Sequence, residues 1–278
     1  MKLSVHQYGK GRVHVARVRR EGARHTIHEV EVQVMLRGDF ASSYTAGDNS
    51  LVVPTDTMKN TVNVLAQTEL GDEIERFGLA LGRHFLAKYA QVAECTVTLS
   101  EKLWTRLEID GTPHPHAFSG NNSSHPWASV TTTRANSTVS SGIRDLLLLK
   151  TTGSGFEGFP KCELTTLPET SDRIFSTIVA ATWDFDREPL SYAAARENAI
   201  GGMLRVFANN YSASVQTTLH EMAQAALKAV PEIGRIRLNL PNKHYLLVNF
   251  GFFDRENPGE IFTPTSEPHG QIEALLER

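Results

Sequence analysis

Between His28 and Val34 the chain alternates apolar and polar residues without a break. Val30, Val32 and Val34 fall on one side, and Glu29, Glu31 and Gln33 on the other. A β-strand points successive side chains to opposite faces, so this run predicts a strand with one buried face and one wet one. Such alternation marks an antiparallel sheet, because parallel sheets are covered on both faces and read as continuous apolar runs. Val13 and Val15 alternate in the same way ahead of the turn-like Glu21-Gly22-Ala23, so the first forty residues read as a β-hairpin.

Helical spacing follows. Pro54 suits the first turn of a helix, where its missing N–H is not needed, and Val62 and Leu65 continue at helical intervals. A second helix is expected over 72–89, with Ile74, Phe77, Leu81 and Phe85 on one stripe and Asp72 and Glu73 at its positive end. Alternation resumes over 97–99 and 104–109. The segment 110–127, rich in Gly, Pro, Asn, Ser and His, reads as a loop, and a strand over 128–134 closes the first half. The second half repeats the order. Strands are expected over 146–150 and 174–183, and helices over 192–208 and 214–229, the latter stopping at Pro231. A closing hairpin of 236–240 and 245–250 is expected around Pro241-Asn242-Lys243-His244. Element order recurs, with no residue-level repeat. The reading is α+β: two tandem domains, 1–134 and 135–278, each an antiparallel four-stranded sheet with two helices on one face. Such sheets leave edges open, so pairing with other subunits is expected.

With 278 residues the chain is long enough to bury a large core without staples. Apolar residues make up 40% and charged ones 21%, which excludes a disordered chain. No apolar run approaches the ~20 residues that span a bilayer, and the start of the chain lacks the apolar core of a signal peptide. The net charge of −3 gives no support to a nucleic-acid or membrane-surface partner. An anion site must therefore be built locally. Cys95 and Cys162 are too few for a disulfide scaffold and read as reduced thiols of a cytoplasmic protein.

Common catalytic signatures are missing: no Gly-x-Ser-x-Gly elbow, P-loop, Gly-x-Gly-x-x-Gly, Cys-x-x-Cys or His-Glu-x-x-His occurs. His114-Pro115-His116, with His125 nearby, is the nearest approach to a metal set, but its setting reads as ordinary loop histidines. The densest polar stretch is 48–61. Thr55 or Asp56 could simply cap a helix there, with Lys59 exposed. The same helix start offers free N–H groups to an anion or a carbonyl oxygen. Lys10, between Gly9 and Gly11, is either a solvated lysine in a flexible turn or a ligand contact that glycine leaves accessible. Gln216 could be plainly exposed, Phe156 and Phe159 plainly core, and 240–245 an ordinary hairpin tip.

Taken together, these segments resemble the urate oxidase (uricase) family over nearly the whole chain. The resemblance is carried by Tyr8-Gly9-Lys10, Leu36-Arg37-Gly38-Asp39-Phe40, the 48–61 block and Pro113-His114-Pro115-His116-Ala117-Phe118. It continues through Leu149-Lys150-Thr151-Thr152-Gly153-Ser154-Gly155-Phe156-Glu157-Gly158-Phe159, the 165–174 block, Ser214-Val215-Gln216 and Leu240-Pro241-Asn242-Lys243-His244. It implies two tunnelling-fold domains per chain and a barrel-like homotetramer with active sites between subunits. It implies that Arg173 and Gln216 grip the edge of urate, Phe156 stacks on its face, and Val215 offers a backbone contact. Thr55 and Asp56 would reach the purine from a neighbouring subunit. Lys10, Thr55 and His244 would relay protons, and Asn242 would hold dioxygen or water above the ring. Pro54 stands where Ala is the more usual residue, which should only stiffen the helix start. The chain ends in Leu276-Glu277-Arg278 rather than a peroxisomal Ser-Lys-Leu, in keeping with a cytoplasmic protein.

These residue types suit the implied chemistry. A guanidinium neutralises a planar anion and fixes it in plane. A carboxamide offers donor and acceptor together to a ring amide edge. A urate dianion can itself give electrons to O2, so no metal, flavin or haem is expected, and 5-hydroxyisourate and hydrogen peroxide are the expected products. A neutral Lys10, acting through Thr55 and a water, is the expected base. The alternative is another purine- or pterin-processing enzyme of the tunnelling fold, such enzymes often needing zinc. A non-catalytic purine-binding protein is the third.

Overall fold

The computed structural model describes residues 2–121 and 123–278. Strands and helices occur in the order β1 (Tyr8–Glu21), β2 (Arg24–Gly38), α1 (Ala41–Thr45), α2 (Thr55–Glu69), α3 (Ile74–Lys88), β3 (Val92–Ile109), β4 (Thr112–Asn121), β5 (His125–Thr133) and β6 (Ser137–Lys150). Next come β7 (Phe175–Phe185), α4 (Tyr192–Asn209), α5 (Val215–Ala229), β8 (Ile233–Asn239), β9 (Asn242–Leu247), β10 (Phe262–Gly270) and β11 (Glu273–Glu277). The chain divides into two compact units, residues 1–142 with 188–193, and residues 143–187 with 194–278.

In the first unit β1, β2, β3 and β5 pair antiparallel in that order. The alternation read from the sequence is the burial pattern: Val30, Val32 and Val34 are sealed inside while Gln33 is exposed. The stripe of α3 closes on the same core, with Ile74, Phe77, Leu81 and Phe85 all fully buried. Each such side chain contributes about 1.5–3 kcal/mol by leaving water. In the second unit β8 pairs antiparallel with β7 and β11, and α4 and α5 supply Ala199, Met203, Leu219 and Met222 to a separate core.

Three expectations need correction. The 110–127 segment is not a loop, because the chain turns at Asp110-Gly111 and runs back along β3 as β4. Among the described residues β4, which carries Pro113 and Pro115, pairs with β3 alone, and an edge strand is where a missing N–H is tolerated. The closing hairpin also does not form. Asn239 pairs with Ala180 and Asn242 with Thr177, three residues on along both strands. β8 and β9 are thus one strand line beside β7, interrupted at Leu240-Pro241 where proline has no N–H to donate. The true partners are β10 on β9 and β11 on β8, which the sequence reading had left out. Finally, α2 is not capped by Thr55 or Asp56. Pro54 holds the cap position with no side-chain cap bond, and Asp56 turns to Lys59 and Asn60 instead.

Each of the four long helices ends on a cation reaching from elsewhere in its unit. Arg17 of β1 donates to the carbonyls of Thr68 (3.2 Å) and Leu70 at the end of α2. Arg134 donates to Leu86, Tyr89, Ala90 and Val92 at the end of α3, at 2.9–3.3 Å. Lys150 of β6 donates to Asn210, just past α4, at 2.8 Å. Arg278 donates to Leu227 in the last turn of α5 and to Val230 and Ile233 just beyond it. Thr68, Leu86 and Leu227 are among the orphan carbonyls that a last helical turn presents at the negative pole of its dipole, and the other acceptors lie at or just past the helix ends.

Candidate active site

The residues singled out from the sequence fall into two sets. Lys10, Thr55 and Asp56 belong to the first unit, and Phe156, Arg173, Val215, Gln216, Asn242 and His244 to the second.

In the first unit Tyr8 fixes the approach to α2. Its hydroxyl accepts from the Val53 N–H (2.7 Å) and donates to the Val53 carbonyl (3.2 Å), pinning the residue before Pro54. Its ring stands edge-on to the buried Phe40 at 4.8 Å, and burial raises its pKa. The Met58 N–H closes the first helical bond onto Pro54, so the N–H groups of Thr55, Asp56 and Thr57 have no acceptor within the helix. Thr55 and Asp56 are exposed at this end. Lys59 donates to the Asp56 carboxylate at 2.5 Å and holds its pKa below the ordinary carboxylate range, and the charge of Lys10 contributes in the same direction. Lys10 is half-buried on β1, where a bulge shifts the register between Lys10 and Val13. Gly9 beside it is needed for the sheet itself, since a Cβ there would lie 1.8 Å from the Val34 carbonyl oxygen.

In the second unit a cleft of about 160 Å³ gathers Phe156, Arg173, Asn242 and His244. The strip carrying Phe156 is hydrogen-bonded on both sides. Phe156 exchanges backbone bonds with Thr170 at 2.7 and 3.2 Å, and the Arg173 N–H donates to the Ser154 carbonyl at 2.7 Å. Gly155 and Gly153 bond to Ser212, at 2.8 and 2.9 Å, two residues before the Ser214 that caps α5. Val215 is buried at the first position of α5 and Gln216 is exposed at the second. Phe156 stacks on Phe159 with 4.9 Å between ring centroids and 13° between planes.

The Arg173 guanidinium lies over the same Phe156 ring, 5.4 Å from its centroid. It is half-buried, and desolvation lowers its pKa. Among the described residues its guanidinium has no ion-pair or hydrogen-bond partner, whereas Arg17, Arg37, Arg76, Arg134 and Arg235 are each engaged. An aromatic face, an unpaired guanidinium and an amide at one cleft can hold a flat anion by face and edge.

The sequence reading missed the side chains that hold this arrangement. Asp172 accepts from the Thr152 hydroxyl and the Gly153 N–H, both at 2.8 Å, and the Tyr211 hydroxyl donates to the Ser171 carbonyl at 2.9 Å. Leu167 and Thr170 also line the cleft. Only the run of polar residues around Thr151-Thr152 and Thr170-Ser171-Asp172 hinted at them. The His114 and His116 rings meet edge to face, 4.7 Å between centroids, and the His116 N–H donates to His114 Nδ1 at 3.3 Å. Among the described residues no three His, Cys, Asp or Glu side chains are placed to hold a metal ion.

Comparison with known proteins places this geometry. The uricase family model matches residues 6–131 and 139–273, once in each half of the chain. A uricase of Dictyostelium discoideum is 41% identical over 276 residues, covering 98% of this chain and 96% of its own length. A uricase of Arthrobacter globiformis is 39% identical over 276 residues, covering 99% and 90%. A crystal structure of the Arthrobacter globiformis enzyme superposes with a TM-score of 0.94 at 39% identity, covering 100% of this chain and 96% of that one. A urate oxidase structure from Bacillus sp. TB-90, at 24% identity and a TM-score of 0.86 over 99% of this chain, shares the fold. With two matched halves in two tandem α+β units and full-length relatives near 40% identity, the chain belongs to the uricase family.

Proposed function

We propose that this chain oxidises urate with O2 and water to 5-hydroxyisourate and hydrogen peroxide, a step of purine degradation, in the cleft of the second unit. The observation that carries this reading is the half-buried, unpaired Arg173 guanidinium over Phe156. Urate is a flat anion. Phe156 takes its face, Arg173 and Gln216 its edge, and the backbone at Val215 a further ring heteroatom. Such a site fixes the ring in plane and excludes water, which is what oriented proton and electron transfer requires.

The remaining residues supply proton handling. Lys10, Thr55 and His244 form the relay, Asn242 holds O2 or water above the ring, and Asp56 helps seat the purine. Lys10, Thr55 and Asp56 lie in a different unit from Arg173. The assembly we propose is a homotetramer, in which those three residues come from a neighbouring subunit. No metal or organic cofactor takes part, since the doubly deprotonated substrate is itself the reductant. The electron balance closes with two electrons passing from urate to O2, and water adding to the oxidised ring. The protein works in the cytoplasm.

The experiment is direct. Purified protein mixed with urate in air should remove the urate absorbance and release one peroxide per urate. Persistence of urate absorbance, with no O2 consumed, overturns the reading.

A further inference from the structure

Beyond the groups that touch the ring, one carboxylate has a placement that calls for a reason. Asp172 sits directly before Arg173, so a carboxylate is placed next in sequence to the group that must attract an anion. No cation pairs with it among the described residues. Instead it reaches across to the strip 152–154, where Oδ2 accepts from the Thr152 hydroxyl and Oδ1 from the Gly153 N–H, both at 2.8 Å. The Ser154 and Arg173 N–H groups add to the field around it. On the far side the Thr170 hydroxyl donates to the Asp172 carbonyl at 2.7 Å, and the Tyr211 hydroxyl to the Ser171 carbonyl at 2.9 Å. The carboxylate thus ties the segment leading through Arg173 into β7 to the strip leading to Phe156. That strip has a left-handed residue at Gly153 (φ 74°) and no regular ladder of its own. Being exposed, the charge is screened by solvent, which limits its cost to anion binding.

We infer that Asp172 is a positioning residue: its carboxylate latches the 152–156 strip to the segment that carries Arg173 into β7 and so sets the height of the guanidinium above the Phe156 ring. This rests on the proposed reading that the cleft binds urate. The latch acts on ground-state grip, so it should govern KM rather than kcat.

The test uses the full-length protein with urate as substrate, comparing Asp172→Ala, Asp172→Asn, Thr152→Val and Arg173→Ala. Loss of both accepted bonds in Asp172→Ala should raise KM about tenfold with kcat within about threefold. Asparagine keeps an acceptor for the Gly153 N–H and gives Thr152 a donor, so Asp172→Asn should return KM to within about threefold of wild type. If Asp172→Ala yields no folded protein, Thr152→Val removes one of the two bonds alone and should raise KM about threefold. An unchanged KM in Asp172→Ala or in that substitute, an asparagine variant as poor as alanine, or a loss confined to kcat overturns the inference. Arg173→Ala separates the two levels. If it leaves KM unchanged, the cleft is not the urate site and the proposed reading falls. If it raises KM while the latch variants do not, only the role of Asp172 falls.

Discussion

The Arg173 guanidinium stands 5.4 Å from the centroid of Phe156, half-buried and without a counter-charge among the described residues. A buried cation left unpaired is costly, and a bound anion removes the cost. Replacing Arg173 with alanine should raise KM for urate on the order of 100-fold, since two charge-assisted bonds of roughly 1.5 kcal/mol or more are lost. Lysine keeps the charge and loses the planar fork, so Arg173→Lys should fall between the two. Steady-state kinetics and anaerobic urate titration read the outcome. Unchanged binding in both variants would remove Arg173 from the site.

Lys10 and Thr55 are expected to act as one proton relay. Lys10→Met should leave anaerobic urate binding largely intact while lowering kcat sharply, because a thioether accepts no proton. Thr55→Ala should also slow turnover. A double variant little worse than the poorer single one is the signature of a shared path. Additive losses would show two independent roles.

Gly155 lies where three segments meet. A Cβ there would fall 2.2 Å from the Tyr211 hydroxyl and 2.9 Å from the Thr170 carbonyl oxygen. The tyrosine tip can swing away, but only by giving up its bond to Ser171. Gly155→Ala should therefore cost about 1–3 kcal/mol as overpacking, seen as a lowered melting temperature, with KM rising more than kcat falls. A variant with wild-type melting and KM would mean that the contact is slack.

The two thiols should behave oppositely. Cys95 is buried on β3, and desolvation pushes its pKa from near 9 up to about 12, whereas exposed Cys162 is lowered by the Thr165 hydroxyl. A thiol reagent at pH 8 should label Cys162 in the native protein and Cys95 only after unfolding. The sign of the stability effect follows. Above pH 9 the unfolded chain ionises Cys95 while the folded chain keeps it neutral, so its contribution, complete below 9, is lost as pH rises toward 12. Wild type should lose stability more steeply over that window than Cys95→Ala. Equal slopes would show that Cys95 is solvated in the fold.

Much of the architecture was legible because burial imposes a period. The valines of β2 and the Ile74–Phe85 stripe of α3 each satisfy one face of one element, and a local window contains all the information. Where partners are distant, the window fails. β4 reads as a loop until β3 lies beside it, and the line of β8 and β9 looks like a hairpin because Pro241-Asn242 is sound turn chemistry. Its real constraint is β7, far away in sequence. The site divides in the same way. Phe156, Arg173, Asn242 and His244 were named through family resemblance, and one cleft holds them. Asp172, Thr152 and Tyr211 went unnoticed because each bonds main-chain or neighbouring polar groups of another segment, and such bonds leave no spacing to recognise.

The cations on the helix ends have a mechanical consequence. An apolar helix face resting on an apolar sheet face makes contacts that are nearly as good after a slide of one turn, about 5.4 Å. Arg17, Arg134, Lys150 and Arg278 remove that freedom, because each is aimed at carbonyls that exist at one place along its helix. They work as detents, converting a greasy contact into an indexed one. The same device occurs twice in each unit, on both helices, although the residues that provide it share no sequence pattern. The two halves of the chain are thus alike in how they are locked, and the segments proposed to bind the purine inherit positions that cannot drift along the helix axes of their own unit.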